Sequence, residues 1–128
     1  MNLIELFRGE GNFQALAAGQ PLFFAGQSGD QMYVLMEGEA DILLGDELVE
    51  SAGPGAIVGE MALVDQGPRS ASVIARTDCR LLAIDIGRFN ALIQQTPEFA
   101  RHVMQVMADR IRAMNGRNAQ LMEHILRF

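Results

Sequence analysis

Lysine and tryptophan are absent from this 128-residue chain, cysteine and tyrosine occur once each, and histidine occurs twice. The single cysteine, Cys79, excludes an internal disulfide framework and suits a reducing cytoplasm. With no histidine near it in sequence, it reads as a small hydrophobe. His102 and His124 stand 22 residues apart near the C-terminus, so the sequence shows no cluster of metal ligands. Both read as solvated residues on a helix face. No apolar run approaches the ~18 residues of a membrane span, and the opening MNLIELFRGE is too acidic and too short for a signal peptide. No nucleophile with a partnered base can be named, which argues against an enzyme.

What positive charge there is comes entirely from ten arginines, set against sixteen acids for a net charge of −6. Genomic base composition is the simplest source of the arginine bias. Residues 1–96 carry 13 acids and 5 arginines (net −8), and residues 97–128 carry 3 acids and 5 arginines (net +2). Nucleic-acid binding needs cations clustered on one surface, and this scattered supply predicts none. The acidic run Asp41, Asp46, Glu47 and Glu50 reads as a solvated hairpin surface rather than a cation site.

Hydrophobic residues make up 49% of the chain and charged residues 20%, enough for one core in a single domain spanning 1–128. From about Gln14 to Asp85 the chain runs in short apolar stretches punctuated by glycine, the pattern of an all-β sandwich or barrel. Ser70 to Thr77 alternates, with Ala71, Val73 and Ala75 on one face. Met32 to Leu44 reads as a hairpin turning at Glu37-Gly38, and Gly45-Asp46 as a two-residue hairpin turn. Helices flank the strands. Leu3, Ile4, Leu6 and Phe7 form a short apolar stripe that would pack on the barrel. A linking helix is expected at about Ile86 to Gln95. Thr96-Pro97-Glu98 then starts a long helix, with a hydroxyl N-cap, proline at the first helical position and an acid on the positive end of the dipole.

One segment, VGEMALVDQGPRSASV from Val58 to Val73, carries candidate chemistry. Gly59 allows close approach of backbone to a ligand, and Glu60 offers a carboxylate to hydroxyl groups. Met61-Ala62-Leu63 suits a short helical turn whose N–H groups favour an anion. Arg69 is a rigid fork of donors fitted to phosphate, Pro68 fixes the backbone before it, and Ser70 adds a hydroxyl. Such a set describes a nucleotide site. A surface Glu–Arg pair with no ligand remains the alternative.

The segment resembles the phosphate-binding cassette of cyclic-nucleotide-binding domains, in which Gly-Glu-x-Ala-Leu precedes Pro-Arg-Ser/Thr/Ala-Ala. Upstream, GQPLFFAGQSGDQMYVLMEGE (Gly19 to Glu39) is similar to the family's early strands and turns, including Phe23, Gly26, Gly29, Asp30, Tyr33, Val34 and Gly38. The resemblance implies a jelly-roll β-barrel at about 14–85, a short N-terminal helix, and hinge, lid and dimer helices at 86–128. It implies that Glu60 binds the ribose 2′-hydroxyl. Arg69, Ser70 and backbone N–H groups near Met61 and Ala62 would hold the cyclic phosphate, over a floor kept close and small by Gly59 and Ala71. Val58 stands where phenylalanine is common, loosening the wall. Arg110, Met114 and Asn115 are candidates for a lid over the base. Ser70 resembles the bacterial cyclic-AMP receptors, so cyclic AMP is favoured over cyclic GMP; no other cofactor and no metal is implied. The expected role is a stand-alone cytoplasmic sensor acting on an effector protein through its C-terminal helices, with a ligand-free scaffold as the alternative.

The tail adds one more expectation. Written as a heptad, Met104, Ile111, Asn118 and Ile125 take the a positions, and Met107, Met114, Leu121 and Phe128 the d positions. A lone asparagine at an a position favours a parallel homodimer. The same stripe could instead pack on its own barrel, and Gly116 could break the helix before the seam is complete.

Overall fold

The structure is a computed structural model that describes residues 1–126, with side-chain surroundings given as far as Gly116. Twelve elements follow in order: α1 (Leu3–Phe7), β1 (Gln14–Leu16), β2 (Pro21–Phe23), β3 (Gln31–Glu37), β4 (Ala40–Leu44), β5 (Glu47–Ala52), β6 (Ile57–Val58), α2 (Met61–Val64), β7 (Ser72–Ala75), β8 (Cys79–Asp85), α3 (Ile86–Gln95) and α4 (Pro97–Leu126). The strands form two four-stranded antiparallel sheets, ordered β1-β8-β3-β6 and β2-β7-β4-β5. This is a jelly roll flanked by helices.

Two apolar layers explain why β3 reads as a continuous hydrophobic run rather than an alternating one. Leu35, with Leu81 of β8, faces the second sheet and meets Phe23, Ile42 and Val73. Met32 and Val34 face the other way, with Leu82 and Ile84, into a layer closed by Leu3, Phe7 and Phe99 of the helices. Central strands covered on both sides must be apolar on both. Strand β7 is covered on one side, and its buried residues are the alternating Val73 and Ala75. The Cys79 thiol is buried, and burial raises its pKa.

Two turns expected from glycine divide. Gly45-Asp46 joins paired strands, with Leu44 opposite Glu47 and Gly45 at φ +60, so the hairpin forms. Glu37-Gly38 does not make one. Strands β3 and β4 lie in different sheets, and the chain crosses between them at Gly38, where φ is +91. A Cβ there would stand 2.2 Å from the Asp78 carbonyl oxygen, so glycine serves a close crossing of backbones.

The helices follow their caps. Asn2 accepts from the Glu5 N–H to start α1, and Asp85 accepts from the Arg88 N–H to start α3. Helix α1 packs on α4 as well as on the barrel, Phe7 meeting Phe99 edge-on with centroids 6.2 Å apart, while Leu6 of the expected stripe stays exposed. Thr96 ends α3 by donating its N–H to Leu92, and its carbonyl accepts from Phe99 as α4 begins. Helix α4 continues through Gly116. Its barrel side carries Phe99 and Val103, with Met107 half-buried beside them, whereas Met104, Ile111 and Met114 are exposed. The remaining seam positions, Asn118, Leu121, Ile125 and Phe128, and His124, lie outside the described side chains. No helix is long and apolar enough to cross a membrane among the described residues.

Candidate functional site

The Val58–Val73 segment folds as a strand end, one helical turn, a loop and a second strand, all placed by backbone chemistry. Gly59 follows β6 at φ +76, and Glu60 then opens α2 without capping it through its side chain. Its carboxylate is therefore available to other partners. Past α2, the Asp65 carboxylate accepts the Gly67 N–H at 2.9 Å, and Gln66 between them sits at φ 56. The backbone of Arg69 is strapped to the opposite loop: its N–H donates to Gln27, and its carbonyl accepts from Gly26, both at 2.8 Å. Ser70 follows in the open, and Ala71 is half-buried.

Arg69 and Glu60 are the two buried charged side chains in the described chain, with 7% and 5% of their surface exposed. They do not pair with each other as a surface ion pair. Arg69 Nη1 donates to the carbonyls of Gln31 (2.8 Å) and Gly59 (3.2 Å), and its guanidinium lies over the Phe23 ring at 4.1 Å. Its Nε is buried without a hydrogen-bond partner among the described residues. Burial pulls the Arg69 pKa down, against Tyr33 and Asp30, which raise it. A buried guanidinium with a donor left over is suited to an anion.

The carboxylate of Glu60 is met from outside the segment. Arg110 of α4 donates from Nη1 to Glu60 Oε1 at 2.7 Å, from Nε and Nη2 to the two Glu50 oxygens at 3.0 Å each, and from Nη2 to the Ile57 carbonyl at 2.7 Å. Burial opposes its charge, but the bonds to Glu50 and Glu60 outweigh that and raise the Arg110 pKa above its ordinary value. A cleft of about 260 Å³ opens beside it, lined by Ala56, Ile57, Val106, Asp109 and Ala113 together with Glu50 and Arg110.

Of the candidate residues, the structure thus gathers Val58, Gly59, Glu60, Met61, Ala62, Arg69, Ser70 and Ala71 on one segment and brings Arg110 to them. Met114 and Asn115 are exposed further along α4. Glu50 corrects the expectation of a solvated acidic hairpin, since it is half-buried and bound to Arg110. No local signal marks it: Glu50 and Arg110 are 60 positions apart, and only the docking of α4 joins them. Among the described residues, no group of three His, Cys, Asp or Glu side chains is placed to hold a metal ion.

A family model described as the cyclic nucleotide-binding domain matches residues 13–96. The cyclic AMP receptor protein of Thermus thermophilus is 35% identical over 99 residues, which is 73% of this chain and 46% of that protein. A cyclic nucleotide-gated potassium channel of Rhizobium etli is 37% identical over 93 residues, covering 73% of this chain and 26% of the channel. Among solved structures, the catabolite activator protein of Thermus thermophilus superimposes with a TM-score of 0.71 at 31% identity, over 94% of this chain and 62% of that one. The chain thus spans less than half the length of the two curated relatives. The family match ends at Thr96, so the arginine that meets Glu60 comes from beyond it.

Proposed function

The chain belongs to the cyclic nucleotide-binding domain family, and from that premise we propose that it is a non-catalytic sensor of cyclic AMP in which ligand and α4 compete for Glu60. The observation that carries this reading is the buried Arg69 Nε, which has no partner among the described residues. Leaving such a donor unmet costs about 1–3 kcal/mol, which a cyclic phosphate oxygen would relieve. Ser70, exposed beside it, adds a hydroxyl, and the backbone near Met61 and Ala62 would add N–H groups, that of Ala62 by giving up its 3.3 Å bond to the Gly59 carbonyl. The ribose 2′-hydroxyl donates to Glu60. Cyclic AMP is favoured because Ser70 resembles the bacterial cyclic-AMP receptors, and the Thermus relative is named for that ligand.

The response follows from Arg110. A hydroxyl that takes Glu60 replaces one of the bonds by which α4 is held, while Glu50 and the Ile57 carbonyl keep the arginine satisfied as the helix shifts. The exposed Met104, Ile111 and Met114 stripe would carry the shift to a partner chain or to a second copy. A second reading, a scaffold that keeps the fold without ligand, is favoured by the same pair, since Arg110 satisfies Glu60 with no nucleotide present.

Calorimetric titration with cyclic AMP and cyclic GMP separates the two. The sensor binds cyclic AMP more tightly than cyclic GMP, and Arg69→Leu weakens binding by at least ~2–5 kcal/mol because the phosphate loses its charged partner. Glu60→Gln costs on the order of 1–3 kcal/mol. Heat from neither nucleotide supports the scaffold, and an Arg69→Leu variant that binds like wild type removes the assigned site.

A further inference from the structure

Both side-chain hydrogen bonds of Arg69 leave from one nitrogen, Nη1, toward Gln31 and Gly59. The N–H groups of Nη1 lie in the guanidinium plane, so these bonds hold that end of the group, while the opposite edge depends on what it packs against. The Nε edge has no bond to fix it. What remains is the ring of Phe23, 4.1 Å from Cζ, with Tyr33 at 5.9 Å from the same atom and 6.3 Å from Phe23 ring to ring. A cation is drawn to the face of such a ring, most strongly where water is excluded. The space around the guanidinium is set by Gly29, where a Cβ would stand 2.2 Å from Nε and 2.3 Å from Cζ.

We infer that Phe23 is a positioning residue for the site: its face backs the Arg69 guanidinium and, with the Nη1 bonds, fixes how the Nε edge is presented before any ligand arrives, and Gly29 leaves the room for that edge. The inference rests on the reading of Arg69 as the phosphate ligand. Phe23 is also a core residue, 9% exposed between the sheets, so a purely structural role is the competing account. The two differ in what they require of Arg69. A packing role acts with or without the arginine, whereas a positioning role acts only through it.

The test uses the full chain and cyclic AMP as probe, with affinity by calorimetry, thermal unfolding, and the Arg69 Nε–Hε resonance by NMR. Phe23→Leu keeps an apolar side chain and removes the π face; it should raise Kd about tenfold, the order of a desolvated cation–π contact. Phe23→Tyr should bind within twofold of wild type. Gly29→Ala leaves Phe23 in place but displaces the guanidinium, and should weaken binding at least as much as Phe23→Leu. In an Arg69→Leu background, Phe23→Leu should add nothing, and in the ligand-free protein it should move the Arg69 Hε resonance out of the ring-current field. The inference is overturned if Phe23→Leu or Gly29→Ala binds within twofold of wild type, or if Phe23→Leu costs the same with and without Arg69. Wild-type protein that binds neither nucleotide overturns the phosphate reading and this inference together. That outcome is distinct from a wild type that binds and a Phe23→Leu variant that binds equally well.

Discussion

Removing the guanidinium of Arg110 tests whether α4 opposes the ligand or grips it. Arg110→Met keeps the stem and deletes bonds to three partners: Glu60, Glu50 and the Ile57 carbonyl. Their weights differ. The Glu50 side chain is 37% exposed, so solvent screens that contact in part, although its two parallel bonds place it above an ordinary surface pair. The Glu60 side chain is 6% exposed, and deleting its partner leaves a buried carboxylate uncompensated. Loss of a partner in a fully buried pair costs 3–5 kcal/mol; with Arg110 itself 22% exposed, about 2–3 kcal/mol is the reasonable expectation. For a domain of this size that lowers Tm by roughly 5–15 °C.

Ligand affinity should move the other way. On the proposed competition a ribose hydroxyl displaces the 2.7 Å Arg110–Glu60 bond in the wild-type chain, whereas in the variant it finds the carboxylate without Arg110. Relief of about 1.4 kcal/mol tightens binding of cyclic AMP about tenfold. Thermal unfolding with and without nucleotide, together with calorimetry, gives both numbers. A less stable protein that binds more tightly supports the competition. A variant that binds more weakly shows that Arg110 touches the ligand as a lid, and unchanged affinity shows that the pair does not oppose binding.

Gly38→Ala should destabilise the fold by about 3 kcal/mol or more, because a positive φ and a Cβ pressed on backbone act together. Gly45→Ala, at φ +60 with open space around it, should cost only about 1 kcal/mol, and equal losses in denaturant titrations would refute the assignment of Gly38 to a sheet crossing. The α4 seam predicts a homodimer by light scattering at micromolar concentration, with Ile111→Glu returning it to monomer; a 14.0 kDa species with and without ligand rejects it. Burial, aided by the positive N-terminus, lowers the pKa of His102 below its ordinary value of 6.5. The unfolded chain therefore takes up this proton first, and the contribution of neutral His102 to stability, complete above that value, declines as pH falls toward the lowered folded pKa. His102→Gln should flatten that part of the profile of Tm against pH, and an unaltered slope would assign it to other groups.

What could be read from the chain alone divides by the range of the interaction. The turn at Gly45-Asp46, the linking helix at Ile86–Gln95 and the proline start of α4 are decided within a few residues, and they stand where expected. Gly38 misled because a positive φ serves a hairpin and a sheet crossing equally; the choice depends on Asp78, forty positions away. The site divides the same way. Glu60, Arg69 and Ser70 share one segment and were legible as a set. The sequence offers the partner of Glu60 only as a lid candidate and Glu50 only as a solvated acid, because both depend on where α4 lies against β5 and β6.

Helix α4 also has a mechanical consequence. Helix α4 begins where Thr96 separates it from α3, and at 1.5 Å per residue the Arg110 attachment lies roughly 20 Å along it, with the far end at Leu126 roughly 44 Å along. A helix that turns as a rod about Thr96 moves its tip slightly more than twice as far as its anchor. If all the bonds of Arg110 to Glu60, Glu50 and the Ile57 carbonyl were released and that gap opened by roughly 3 Å, the end of α4 would move roughly 6–7 Å, more than the pitch of one helical turn. The bonds of one side chain would on that geometry govern a stroke long enough for a neighbouring chain to read.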